Sequence, residues 1–364
     1  MMDRRTLLQS GVAAAALAAV PTIGRAQGAP AFAPKPGAWR TFEIRTEVEL
    51  PPTKGAARVW VPTANFRADD WTRPEGSSFD GNAAQAKLVE GGAGLVQAEW
   101  REGAEAPKLA VVSRVATRDR SVDLAATGAP ALSSADREAY LAATELIPTD
   151  GVVRKTALSI VGGAATDREK VRAIYEWVVA NTFRDAKVRG CGLGDVASML
   201  ESGNLGGKCA DLNALFVGLV RAVGVPARDI YGIRVAPSRF GYKSLGANSE
   251  TITKAQHCRA EVWLDGPGWV PADPADVRKV ALEEPPANLK LDDPKVDAAR
   301  AALLGAWETN WIAFNDAHDV ALPGSSGPKL GFLMYPQAET AAGRLDCLDA
   351  DGFRYRITAK EITA

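Results

Sequence analysis

The stretch Gly206-Gly207-Lys208-Cys209-Ala210-Asp211-Leu212-Asn213-Ala214-Leu215-Phe216 reads as a glycine-rich loop that delivers a cysteine to the first turn of an apolar helix. Downstream, Leu212, Leu215, Phe216, Leu219, Val220 and Val223 recur at helical spacing, and Gly224 with Pro226 stops the helix. Cys209 therefore sits at the positive end of a buried helix dipole. Unpaired backbone N–H groups and the adjacent Lys208 charge favour a thiolate there and draw the thiol pKa below its free value of about 8.5. The two glycines let a substrate backbone approach closely. An inert core thiol is the competing reading, because cysteine is also a common small core side chain.

A thiol nucleophile needs an imidazole to take its proton and a third group to orient that imidazole. The chain has only two histidines. His257 opens the segment His257-Cys258-Arg259-Ala260-Glu261-Val262-Trp263-Leu264, whose alternation puts Cys258, Ala260, Val262 and Leu264 on an apolar face. His257, Arg259, Glu261 and Trp263 share the other face, which is expected to line a cleft. His318, in the polar stretch Asn315 to Asp319, is the alternative base. Asp265-Gly266 signals a hairpin, with Gly268 to Asp273 running back. A two-residue turn places His257 opposite Pro274, and a bulge of one residue brings Asp273 directly across from the imidazole.

Around this centre the chain divides into an N-terminal β part and a helical middle. From Thr41 to Leu50 the residues alternate, with Phe42, Ile44, Thr46, Val48 and Leu50 on one side. Pro51-Pro52 ends that strand, and Ala57 to Pro62 reads as its antiparallel return. Apolar runs at 87–90, 95–100 and 109–115 complete a small β-sandwich over residues 38–125. Ser133 or Ser134 caps a short helix, and Thr166-Asp167-Arg168-Glu169 forms a capping box for an amphipathic one. Asp195 caps another. Strands then follow at 230–235 and 259–264, so residues 130–290 form an α+β unit with helices first and sheet second. The polar segment 242–256 is a long loop beside the site. Residues 291–364 are an extension, helical towards Trp311, with a hairpin turned at Asp349-Ala350-Asp351-Gly352; an EF-hand frame fails there at both ends.

Composition narrows the function class. With 46% hydrophobic and 24% charged residues in 364, the chain is globular with a large core. A net charge of -1 argues against a nucleic-acid surface and against membrane binding by charge. Arg4-Arg5-Thr6-Leu7-Leu8, an alanine-rich apolar run from Gly11 to Val20 and Gly24-Arg25-Ala26 resemble a twin-arginine export signal. The apolar run is about half the roughly twenty residues that a spanning helix needs, so no stable membrane anchor is expected. Cleavage after Ala26 and a periplasmic mature protein follow, with the twin-arginine export machinery as a partner. The cysteines Cys191, Cys209, Cys258 and Cys347 show no C-x-x-C spacing. Cys191 reads as a loop cysteine. A zinc site of Cys191, Cys209, Cys258 and His257 is disfavoured because Cys258 and His257 leave opposite faces of one strand. No metal and no cofactor are expected.

Gly207-Lys208-Cys209 with the helix end Gly224-Val225-Pro226-Ala227-Arg228, then His257 to Leu264, then Gly268-Trp269-Val270-Pro271-Ala272-Asp273-Pro274, resembles the transglutaminase-like cysteine-enzyme superfamily over residues 165–280. The resemblance implies a papain/transglutaminase-like α+β core, a nucleophile helix packed on an antiparallel sheet. It also implies Cys209 as nucleophile, His257 as general base and later acid, and Asp273 as orienting carboxylate. The implied chemistry is acyl transfer from a peptide, protein or peptidoglycan-like amide, with water as the favoured acceptor. A protein-crosslinking transglutaminase and a non-catalytic periplasmic binding or assembly protein are the alternatives. The backbone N–H of Cys209 supplies one oxyanion donor; the second has no candidate in the residues just upstream.

Overall fold

A computed structural model describes residues 31–52 and 55–362; the expected export signal, 1–26, lies outside them. The helix Cys209–Ala222 is buried along its whole length. Its residues are apolar on nearly every side, so it forms the axis of the core rather than one wall of it. Helices Gly151–Val161, Asp167–Asn181 and Pro274–Glu283 flank it, and it lies on the strands Gln256–Leu264 and Ala227–Arg234. Those two strands are the centre of a four-stranded sheet whose order runs Gly268–Ala272, Gln256–Leu264, Ala227–Arg234, Trp311–Asn315. All the pairings are antiparallel. This is an α+β core with a central helix on an antiparallel sheet. Thr166 and Glu169 form the capping box, and the Asp195 carboxylate accepts from the backbone N–H of Ser198.

Two further sheets face each other across Val48, Val59, Val61, Val96, Leu109, Val111 and Phe353. One has the order Arg354–Glu361, Arg40–Glu49, Lys108–Thr117, Thr72–Gly81. The other runs Gly343–Arg344, Gln337–Thr340, Ala57–Pro62, Leu95–Trp100, Gln85–Val89. Ala57–Pro62 is thus not the return of the first strand. Pro51 and Pro52 lack the N–H groups that a continuing ladder needs, and the chain crosses to the opposite sheet. Each sheet also takes strands from the C-terminal end of the chain, with Phe42 level with Glu361 and Trp60 with Gln337.

The expected hairpin about Asp349–Gly352 does not form: Leu345 to Leu348 is not a strand, and Arg354–Glu361 pairs with Arg40–Glu49 instead. The helix after Leu291 also stops sooner than its apolar pattern suggests. It covers Pro294–Ala302, and Gly305 at φ +125° redirects the chain so that Trp311–Asn315 becomes the outer strand of the core sheet. Phe66 and Trp71 enter the same apolar cluster as Trp307 and Trp311, so the β part and the helical core share packing. Among the described residues no helix is long and apolar enough to cross a membrane.

Candidate active site

Cys209 is the first residue of its helix and 3% exposed. Asp211 organises the turn around it. Its Oδ2 accepts from the backbone N–H of Lys208 at 2.9 Å, and its Oδ1 accepts from Leu193 and Gly194, each at 2.9 Å. Asp211 thus closes the first turn of the helix and also ties the loop 191–194 to it. Gly192 makes that approach possible: its φ is +93°, and a Cβ there would lie 1.8 Å from the Asp211 carboxylate. The result is that Cys191 is pressed against the helix start, where its carbonyl accepts from Ala210 N at 2.9 Å. Cys191 is thus a buried thiol that lines the same cavity as Cys209, and its Sγ donates to the Gln256 carbonyl at 3.3 Å.

The hairpin register differs from the expectation. Leu264 pairs with Gly268 and Ala260 with Ala272, with Asp265, Gly266 and Pro267 in the turn, so Asp273 lies level with Arg259 and no bulge is needed. Asp273 leaves the ladder to cap the helix Pro274–Glu283 through its Oδ1, which accepts from Asp276 N at 3.0 Å. Its other oxygen reaches His257 diagonally, a distance that cross-strand side chains span. His257 Nε2 is 2.8 Å from Asp273 Oδ2 and 3.4 Å from Asp276 Oδ2. Asp273 thus takes the Nε2 edge of the ring, and His257 and Cys209 line the same cavity.

Electrostatics set the resting charges. The neighbouring Cys191 and Cys258 thiols lower the Cys209 thiol well below its ordinary value; burial opposes them, and the His257 imidazole adds to the effect. Burial and the Arg234 guanidinium push His257 down, but Asp276 and Asp273 outweigh them and raise it to about 10. Both shifts favour the thiolate–imidazolium form of the pair. Burial resists ionisation of Asp276, yet Arg234 at 2.5 Å and His257 keep it well below the carboxylate range. Burial and the Asp276 charge leave Asp273 above that range.

Several contributors escaped the sequence reading. Asn213, one turn beyond Cys209, donates to Asp273 Oδ1 at 3.3 Å and to the Cys258 carbonyl at 2.9 Å, so the nucleophile helix itself steadies the carboxylate. A buried asparagine in an apolar helix face was the available signal. Gln256, next to His257, is 8% exposed and its Nε2 has no partner among the described residues. The face shared by Arg259, Glu261 and Trp263 does not line a cleft. Arg259 lies against Trp307 and Trp311, and Glu261 is clamped between Arg120 and Arg228. From this face His257, at the strand's open end, reaches the cavity, and Arg259 backs Asp273 at 3.5 Å. His318 turns away to Tyr231, 3.4 Å from its hydroxyl, and burial with Arg221 lowers it to about 3.

Cys191, Cys209, Gln256, His257 and Tyr335 line a cavity of ≈ 640 Å³, with the loop 243–257 forming part of its wall. Cys258 and His257 leave opposite faces of the strand, and of the two only His257 lines this cavity. Among the described residues only His257, Asp273 and Asp276 bring three possible metal-ligand atoms within 4.8 Å of one another. Arg234 and Arg259 already lie against these carboxylates, so guanidinium charge fills the role a cation would take.

The model of the transglutaminase-like superfamily matches residues 154–274, the span from the helix before the capping box to the turn after Asp273. A protein of Haemophilus influenzae whose function is uncharacterised is 36% identical over 328 residues, covering 85% of this chain and 88% of that one. The chain belongs to the transglutaminase-like superfamily. A proposed cysteine protease from Cytophaga hutchinsonii superposes with a TM-score of 0.56 at 14% identity, covering 91% of this transglutaminase-like chain and 93% of its own, which shows a shared fold. The periplasmic domain of TgpA from Pseudomonas aeruginosa is a more distant likeness, with a TM-score of 0.35 at 19% identity over 68% of this chain and 77% of that one.

Proposed function

We propose that this protein is a cysteine acyl-transfer enzyme that hydrolyses a peptide or amide bond after export to the periplasm. The observation that carries the reading is that Cys209, at a helix N-terminus, lines one cavity with an imidazole that is anchored 2.8 Å from a buried carboxylate behind it. In this reading the Cys209 thiolate attacks the amide carbonyl, and the oxyanion is met by the Cys209 backbone N–H. The unpartnered Nε2 of Gln256 supplies the second donor. His257, already protonated, gives its proton to the leaving amine as the tetrahedral intermediate collapses to a thioester. The neutral imidazole then takes a proton from water, and hydroxide attack on the thioester releases the acid and regenerates the thiolate–imidazolium pair. Asp273, steadied by Asn213, orients the ring throughout. Water is the favoured acceptor in the periplasm to which the Arg4-Arg5 segment directs the chain in this reading.

The test is mass spectrometry of periplasmic peptides and peptidoglycan fragments incubated with the wild type and with Cys209→Ala. Products made only by the wild type are expected, with mass gains of one water. Identical spectra, together with slow and ordinary alkylation of Cys209, would overturn the reading in favour of a binding module. Condensed products lacking ammonia would identify a crosslinking enzyme instead.

A further inference from the structure

We infer that the cavity beside Cys209 selects acyl donors carrying a carboxylate near the scissile amide; this rests on the acyl-transfer reading above. The cavity wall holds Arg184, Lys208, Arg234, Lys243, Lys254 and Lys279, against Glu283 as its sole carboxylate among the described residues. The chain as a whole has a net charge of -1, so the excess here is not a reflection of overall charge. Half of these cations are already engaged. Arg184 and Lys279 both meet Glu283, and Arg234 is held by Asp276.

Lys208, Lys243 and Lys254 are different: no carboxylate lies within ion-pair distance of any of them among the described residues. They come from separate places in the chain. Lys208 precedes the nucleophile, Lys243 sits in the short helical turn Lys243–Leu245, and Lys254 lies just before the strand that carries His257. Only the cavity brings them together. The Cys209 thiolate is held chiefly by Cys191, Cys258 and His257, so these lysines are not required to ionise it. Like charges gathered on one concave wall repel each other and raise the local concentration of anions, a cost relieved when an anionic ligand enters. Peptide substrates supply that anion as a carboxylate. Lysine offers a mobile point charge rather than a bidentate fork, so the selection is by charge and reach, not by a fixed geometry.

The test compares alkylation of Cys209 by iodoacetate and by iodoacetamide, read by peptide mapping and normalised to free cysteine. The ratio cancels changes in thiolate population. It should exceed that of free cysteine in the wild type and fall about tenfold in the triple variant Lys208→Gln, Lys243→Gln, Lys254→Gln. Raising salt from about 0.05 to about 0.5 M on the wild type should lower it in the same direction, which keeps the test independent of how the variant folds. A wild-type ratio no higher than that of free cysteine, or one indifferent to salt, overturns the inference.

Matched peptides then distinguish the source of the carboxylate: one with a glutamate side chain and amidated C-terminus, one with glutamine and a free C-terminus, and one with neither charge. Preference for either anionic peptide by about tenfold in kcat/KM supports the inference and names the source. Equal turnover of all three overturns it. A high alkylation ratio with no turnover of any peptide would sink the acyl-transfer reading while leaving the anion-selective cavity in place.

Discussion

The strand Gln256–Leu264 carries two buried ionic clusters, one at each end, and they use nearly the same residue types. At one end His257 meets Asp273 and Asp276, which are backed by Arg234 and Arg259. Toward the other, Glu261 is held by Arg120 and by Arg228 at 2.6 Å. Both are out of bulk water. The difference lies in what covers them. Phe66 and Trp269 pack on the Arg228 guanidinium, at 4.9 and 4.0 Å from ring centre to carbon, and Trp71 lies against Arg120. The His257 cluster instead borders a cavity and a thiol. Burial and perturbed charge alone thus do not mark a reactive site; access and a nucleophile do.

The comparison breaks most visibly in Asp273→Asn. Asparagine keeps the helix cap but loses the charge that stabilises the imidazolium, so kcat is expected to fall on the order of 10⁴-fold with a near-normal melting curve. Steady-state kinetics beside thermal unfolding would check this, and an unchanged rate in the folded variant would remove Asp273 from the mechanism. Glu261→Gln should do the reverse. Two arginines would lose their buried partner, costing roughly 3–5 kcal/mol of stability in urea denaturation, while the molecules still folded retain the wild-type kcat. Loss of rate in proportion at both ends of the strand would show that the two clusters are one functional unit.

Gln256→Ala sharpens the boundary between them. If its free Nε2 meets the oxyanion, kcat falls about 10²- to 10³-fold with little change in KM, because the bond is made mainly in the transition state. A rise in KM alone would make Gln256 a ground-state contact. The smallest effect concerns pH. His257 is raised to about 10 in the folded chain from an ordinary 6.5. A group raised on folding contributes stability that is fully present below its unfolded pKa and is lost as pH climbs to the folded one. The stability difference between wild type and His257→Gln should therefore shrink between pH 6.5 and 10. A difference that widens across that window would mean the imidazole is neutral in the folded protein.

The local features were legible because they depend on near neighbours. The helix start at Cys209, the capping box at Thr166 and Glu169, and the alternation from Thr41 to Leu50 all follow from backbone hydrogen bonding and side-chain periodicity within a few residues. That His257 and Asp273 belong to one hairpin was equally readable. Its register was not, because one more residue in the turn shifts every partner, and the side chains met diagonally rather than face to face.

What the sequence by itself determined, then, was a thiol at a helix N-terminus, an imidazole and a carboxylate on one hairpin, and an α+β core of the transglutaminase-like kind. Tertiary structure alone decided the rest. Cys191 beside Cys209, Asn213 beside Asp273, and the three lysines around one cavity that meet no carboxylate among the described residues join positions far apart along the chain. So does the completion of both outer sheets by C-terminal strands. No periodicity encodes such meetings. They arise when a helix apolar on nearly every side must be covered all round, and the segments that cover it bring their polar groups to its one open end.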